Sequence, residues 1–255
     1  MEPSRDSSTR PRLGVVGAGR LGTALAAALT EAGYPIEGPA RRGEVPRGCR
    51  AIVLCVPDGE LGAAALAVAG AAPLVGHTSG ATPLSVMAAA GADLFGLHPL
   101  QSFTGGEAPT AFAGAGCAIA GTSAEALGLA RRVAGDLGMQ AFEIDDDGRA
   151  AYHAAASVAS NFLITLEAAA ERIAAGAGLQ HDEARALLAP LVERTARNWA
   201  ELGPERALTG PVARGDEATV AAQRAAVEET APELLALFDE LVERTRELAR
   251  RGVPA

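Results

Sequence analysis

The 255-residue sequence contains no lysine; all 22 of its basic side chains are arginine. That absence excludes Schiff-base chemistry, a phosphate-loop lysine and any lysine acting as general acid or base. Positive charge is also outnumbered, with 31 acidic residues giving a net charge of −9 and a pI near 5.0. Nucleic acid is therefore not an expected partner, because phosphate binding wants a basic surface. A few local arginines would still suffice for a small anionic substrate. Cysteine is sparse: Cys49, Cys55 and Cys117 lie far apart with no CxxC pair. They read as small core thiols in a reducing compartment, so a cytoplasmic location is expected and no metal site is predicted. No uninterrupted apolar run reaches the roughly 18 residues of a membrane span. Residues 1–11 hold Pro3, Arg5, Arg10 and Pro11 but no apolar stretch, and read as a disordered tail rather than a signal peptide.

Hydrophobic residues make up 49% of the chain, enough for a large globular domain or two modest ones. Two regimes of periodicity divide them. From Leu13 to Ile144, short apolar runs at 13–16, 34–38, 51–56, 72–77, 93–97, 116–120 and 140–144 alternate with helical stretches. That alternation predicts an α/β domain at 12–147, with a parallel sheet covered on both faces. Pro35 and Gly38 make the second strand the weakest of the set. Beyond Asp147 the strands stop, and 149–176, 181–202, 216–228 and 231–251 read as helices of an all-helical domain at 148–255. Thr230 followed by Glu233, with Pro232 between them, predicts a capping box opening the last helix. That helix carries Leu234, Leu237, Leu241 and Leu248 on one stripe.

The first predicted strand runs into Gly17-Ala18-Gly19-Arg20-Leu21-Gly22, a GxGxxG at the opening of a βαβ unit. In that setting Gly17 makes the tight turn, Gly19 lets the backbone approach a pyrophosphate, and Gly22 lets helix pack on strand. The helix N-terminus offers free N–H groups to the anion. The pattern predicts a Rossmann-type dinucleotide site. Glu37 could accept ribose hydroxyls but falls within the second strand, whereas Arg41 and Arg42 follow its end. A guanidinium there suits a 2′-phosphate, which favours NADPH over NADH.

In such a sheet ligands sit beyond the carboxyl ends of the strands. Val56-Pro57-Asp58, His77-Thr78-Ser79 and the segment from His98 through Gln101 and Ser102 all fall at that edge, as candidate cofactor and substrate contacts. On the first helix of the second domain, His153, Ser157 and Asn161 are spaced i, i+4, i+8 and are expected to share a face. Arg214, framed by Gly210-Pro211 and Gly215-Asp216, is a candidate clamp for a substrate carboxylate, and Asp216 reads as a helix N-cap. His153 or His98 is the expected proton donor, with Ser157 and Asn161 orienting a carbonyl.

Together, GAGRLG at 17–22, GHTSGA at 76–81, GLHPLQSF at 96–103, YHAAASVASN at 152–161 and LTGPVARGD at 208–216 resemble the Rossmann-like proteins with a C-terminal helical domain of unknown function 2520. The resemblance covers nearly the whole chain. Its layout is similar to pyrroline-5-carboxylate reductase, prephenate dehydrogenase and ketopantoate reductase, which implies a helical domain that closes the active site and often mediates a homodimer. Arg41 lies where ketopantoate reductases carry an arginine for the NADPH phosphate. Those enzymes use a catalytic lysine that this chain lacks, so ketopantoate reduction would need another proton donor. The expected function is hydride transfer from NADPH to a small 2-oxo or imino acid, with NADH or a deazaflavin as alternative cofactors. A non-catalytic NADP(H)-binding sensor or scaffold is the rival expectation.

Overall fold

A computed structural model describes residues 10–252. The chain divides into two compact units, one ending at Ser160 and one running from Asn161. The first unit therefore takes one helix more than the sequence assigned to it.

The first unit alternates strands and helices: β1 (Leu13–Val16), α1 (Arg20–Glu31), β2 (Ile36–Ala40), β3 (Ala51–Leu54), α2 (Leu61–Ala67), β4 (Leu74–His77), β5 (Asp93–Leu100), β6 (Gly116–Gly121), α3 (Ala124–Asp136), β7 (Gln140–Glu143) and α4 (Arg149–Ala159). The seven strands form one sheet in the order β2-β1-β3-β4-β5-β6-β7. Side chains alternate between two cores because successive strand residues point to opposite faces. Leu13, Val15, Ala51, Val53 and Leu74 pack with α1 and α3. Val16, Ile52, Leu54, Val75 and Leu94 pack on the other face with Leu61, Ala65 and Met87. Both faces are covered, which is why these strands read as continuous apolar runs.

The expected α/β fold is present, but the sheet is not wholly parallel. β6 runs antiparallel to β5, from Phe95 opposite Gly121 to Leu100 opposite Gly116, and β7 then pairs parallel with β6. The reason lies in the connections. A parallel return needs a long crossover, usually helical. Residues 101–115 supply only loop and one short 3-10 turn, Pro109–Phe112, whereas α3 bridges β6 and β7. β5 also extends to Leu100, so His98 lies inside a strand rather than in the loop after it. β2 begins two residues later than expected: Tyr34 N–H is bound to Leu29 O at the end of α1, and its ring is buried. Pro39 is tolerated because β2 is an edge strand.

The second unit is helical: α5 (Asn161–Ala174), α6 (His181–Leu202), α7 (Pro204–Ala207), α8 (Pro211–Arg214), α9 (Glu217–Thr230) and α10 (Leu235–Arg251). Two expectations are corrected. The helix expected over 149–176 breaks at Ser160, whose φ and ψ of −126° and −76° leave the helical region and whose hydroxyl donates to Ala156 O at 2.7 Å. The capping box at Thr230 does not form: that hydroxyl donates back to Ala226 O at 2.7 Å inside α9, and α10 has no side-chain cap. Asp216 does cap α9, accepting from Thr219 N–H at 3.1 Å and from its hydroxyl at 2.7 Å. No described helix is long and apolar enough to cross a membrane.

Candidate active site

The turn from β1 into α1 gives the three motif glycines different jobs. Gly17 has φ +105°, and a Cβ there would lie 2.2 Å from Cys55 O. A Cβ on Gly22 would lie 1.9 Å from Gly17 O. Both are fixed as glycine by packing. Gly19 differs: a Cβ there would meet nothing within 4 Å, so its place at the N-cap of α1 faces open space. No side chain caps that helix end, and the first-turn N–H groups at Arg20, Leu21 and Gly22 have no intrahelical acceptor. An uncapped helix end behind an open glycine cradle fits the pyrophosphate of a dinucleotide.

Beside it, a groove of about 450 Å³ is lined by Gly17, Arg41, Arg42, Glu44, Val56, Pro57 and Glu60, among others. Arg41 follows the carboxyl end of β2. Its backbone N–H donates to Glu44 at 2.7 Å, while its guanidinium has no ion-pair partner among the described residues. Arg42 pairs with Glu60 at 3.0 Å. Glu37 sits at the opposite end of β2, 3.3 Å from Arg12, away from the groove. The donor set therefore suits a nucleotide with a phosphorylated ribose better than one recognised by a carboxylate.

A second cluster lies at the carboxyl ends of β4 and β5. His77 and Gly96 are register partners, and strand alternation puts the side chain of His77, position 96 and His98 on one face of the sheet. Helix α4 covers that face with Arg149, Tyr152 and His153, the i, i+3, i+4 positions of one helical stripe. Arg149 is 2% exposed. Its Nε donates to Asp146 at 2.7 Å, and its Nη2 lies 3.4 Å from a Cβ built at Gly96. His98 Nδ1 is 2.6 Å from the Tyr152 hydroxyl, and the His98 and His153 rings lie edge-on with centroids 6.0 Å apart. Gly80 closes the cluster: a Cβ there would be 2.7 Å from His98 Cε1 and 2.9 Å from His153 Nδ1.

Burial sets the protonation of this cluster. His77 is pushed down to about 4, chiefly by desolvation and then by the Arg149 charge. His98 is also pushed down to about 4, by desolvation and then by His153. Both rings are neutral at pH 7. Desolvation pushes the Tyr152 phenol up to about 12, so it keeps its proton. Three buried nitrogens, His77 Nε2, Arg149 Nη2 and His153 Nδ1, have no hydrogen-bond partner among the described residues.

Other expected site residues are placed differently. The Ser79 hydroxyl is committed to its own turn, bonded to Thr82 Oγ1 at 2.9 Å and accepting from Thr82 N–H at 3.0 Å. The Thr78 hydroxyl reaches back to Leu54 O at 3.5 Å. Gln101 donates to Ala111 O and accepts from Ser102 N–H, folding its side chain into its own loop. Asp58 is exposed in a short turn after β3 and acts on His77 and His98 only through its charge. Asn161 opens α5 in the second unit, so the break at Ser160 separates it from the stripe carrying His153 and Ser157. Arg214 ends the single-turn α8 and is exposed. Arg149 and Tyr152 were missed. Counting the His153 stripe backward by four would have reached Arg149.

The solved structures agree with this architecture. A Thermotoga maritima protein is 27% identical, with 93% of this chain and 99% of that one covered and a TM-score of 0.77. A Bacteroides fragilis protein, named provisionally as an NADP oxidoreductase, is 21% identical over 94% and 99% of the two chains, with a TM-score of 0.78. A Plasmodium falciparum pyrroline carboxylate reductase with NADP bound is 11% identical over 94% and 99%, with a TM-score of 0.60. At such identities the last two establish the fold alone. No curated protein matches the chain. The model of the domain of unknown function DUF2520 matches residues 115–245, just over half of the sequence, and the chain belongs to that family.

Proposed function

We propose that this protein is an NADPH-dependent reductase of a small carbonyl or imino acid. The observation that carries the proposal is the placing of an open, uncapped glycine turn and a neutral His98–Tyr152 pair at the carboxyl edge of one sheet. Gly17–Gly22 would hold the pyrophosphate, and Arg41 the ribose phosphate. NADPH would supply the hydride. NADH and a deazaflavin remain the competing cofactors. The NADP and the oxidoreductase chemistry named for two of the similar structures support the same reading.

The chain's own residues would supply orientation and a proton. With His98 neutral, its imidazole is a poor acid but a good partner for Tyr152: Nδ1–H can donate to the phenol oxygen while the phenol gives its proton to a developing alkoxide. This reassigns the proton from the imidazoles to Tyr152, leaving His98 to position it. The exposed apolar residues of the helical unit, among them Phe162, Ile164, Leu191 and Trp199, support a homodimer through that unit.

The direct test is NADPH oxidation against a panel of 2-oxo acids and cyclic imino acids, alongside cofactor binding. Turnover of at least one class supports the proposal. Tight NADPH binding with no turnover on any compound supports the rival sensor or scaffold. No affinity for any pyridine or deazaflavin nucleotide refutes both.

A further inference from the structure

We propose that Arg149 and His77 together form a buried carboxylate anchor, which makes the substrate an acid. This rests on the reductase reading for its catalytic meaning, but its binding prediction stands alone. The Nδ1 of His77 accepts the Ser79 N–H at 3.1 Å, so the neutral ring carries its proton on Nε2. That N–H is fully buried and unpartnered. Arg149 spends Nε on Asp146, while Nη2 is likewise buried without an acceptor.

Two orphaned donors meet over one face of the sheet, His77 from the end of β4 and Arg149 reaching down from α4 to Gly96, the register partner of His77. They call for a shared acceptor, because a buried unpaired N–H costs as much as a lost hydrogen bond. A buried guanidinium calls for negative charge as well. Asp146 answers only part of that need, since its side chain is 49% exposed to water. A carboxylate meets both demands at once, with its oxygens receiving one N–H from each side chain. His98 lies on that face and Tyr152 over it, so an acid anchored there would present its neighbouring carbonyl oxygen or imine nitrogen to the proton-donating pair.

The test compares pyruvate with its uncharged ester, methyl pyruvate, as probes of the wild type, Arg149→Met and Arg149→Lys. Binding is read by calorimetry, and the acid-over-ester ratio of kcat/KM is read where turnover exists. The wild type should favour the acid. Arg149→Met should cut acid binding about 10–100-fold, the loss expected for one charge-assisted bond, should erase the acid-over-ester preference, and should leave NADPH affinity within about twofold. Arg149→Lys keeps the charge but loses the fork, and should fall between. Circular dichroism and the unfolding midpoint confirm that each variant is folded. Should a variant fail to fold, the wild type's own acid-over-ester binding preference decides. Equal binding of acid and ester by the wild type, or unchanged acid binding in folded Arg149→Met, overturns the anchor and leaves an internal water as the acceptor. NADPH oxidation with neutral substrates would then preserve the reductase reading without it. Absence of all turnover would sink that reading while the binding result still judged the anchor.

Discussion

The Tyr152 hydroxyl lies 2.6 Å from Nδ1 of His98, joining the first helix after the last strand to the middle of the sheet. The ring of Phe142 packs edge-on against Tyr152 at 5.7 Å, which limits the phenol's freedom. The pair is therefore pre-set rather than assembled on binding. Tyr152→Phe keeps the ring and removes the hydroxyl, proton and oxygen together. It should lower kcat for carbonyl reduction by about 10²–10⁴-fold while leaving NADPH affinity unchanged. His98→Ala should also slow turnover, but by less, because it removes the partner and not the donor. A Tyr152→Phe enzyme that retains wild-type kcat would remove the phenol from the chemistry.

The glycine turn yields a paired prediction in which position matters more than residue type. Gly22→Ala drives a methyl to within 1.9 Å of Gly17 O, and both atoms belong to rigid backbone elements. It should destabilise the fold by about 3 kcal/mol or more, at the upper end of overpacking costs. Gly19→Ala meets nothing within 4 Å and should unfold at the wild-type denaturant concentration. Its methyl would instead occupy the space proposed for the pyrophosphate, weakening NADPH binding. Equal stability of the two variants would contradict the packing described here.

The parts legible in the sequence are those set by local pattern. The GxGxxG turn, the two-regime organisation and the Asp216 cap each depend on residues within a few positions of one another. Much of what escaped depended on distant partners. Nothing in Leu97-His98-Pro99-Leu100 says that β5 continues to Leu100; that extension exists because β6 pairs antiparallel alongside it. Nothing in the sequence around Arg149 marks it as buried; it is buried because position 96, far away in the chain, has no side chain to exclude it. The Ser160 break was hidden in an alanine-rich run, where a serine hydroxyl turning back to Ala156 O gives no signal before the fold is known.

Cofactor choice follows from the charges along the groove. Arg42 is already paired with Glu60, so the proposed phosphate preference rests on Arg41. Arg41→Ala should raise the Kd for NADPH by about 10–100-fold, the loss of one charge-assisted contact, and change the Kd for NADH by less than about twofold. Fluorescence titration with each nucleotide measures both. A uniform weakening of the two would show that Arg41 does not read the phosphate.

Acid stability follows from the two neutral histidines. The folded-state values near 4 lie below the ordinary 6.5, so between those limits the unfolded chain binds more protons than the folded one. Stability is then fully retained above pH 6.5 and lost as pH falls toward 4. By pH 5 each ring should have cost about 2 kcal/mol. The urea midpoint should drop between pH 7 and pH 5, before most carboxylates titrate. His77→Gln, which cannot take up a proton, should flatten about half of that slope. A midpoint constant from pH 7 to 5 would mean that these rings are not buried as described.

Gly80 offers the most selective probe of the cluster, because what a methyl would strike there is side chain and not backbone. The nearest atoms are His98 Cε1 and Nε2, at 2.7 and 2.8 Å, and His153 Nδ1, at 2.9 Å. Rings can swing away, and the Ser79–Thr82 hydrogen bonds that shape the turn do not involve position 80. Gly80→Ala should therefore fold, with an unfolding midpoint close to wild type, while both imidazoles are displaced. Displacing His98 breaks its 2.6 Å alignment with Tyr152. Misplacing a reacting group by about 1 Å can cost about 10²-fold in rate. The expected signature is a comparable loss in kcat with NADPH affinity intact, since the glycine turn lies at a different strand end. Full activity in a folded Gly80→Ala protein would show that the chemistry does not pass through these imidazoles.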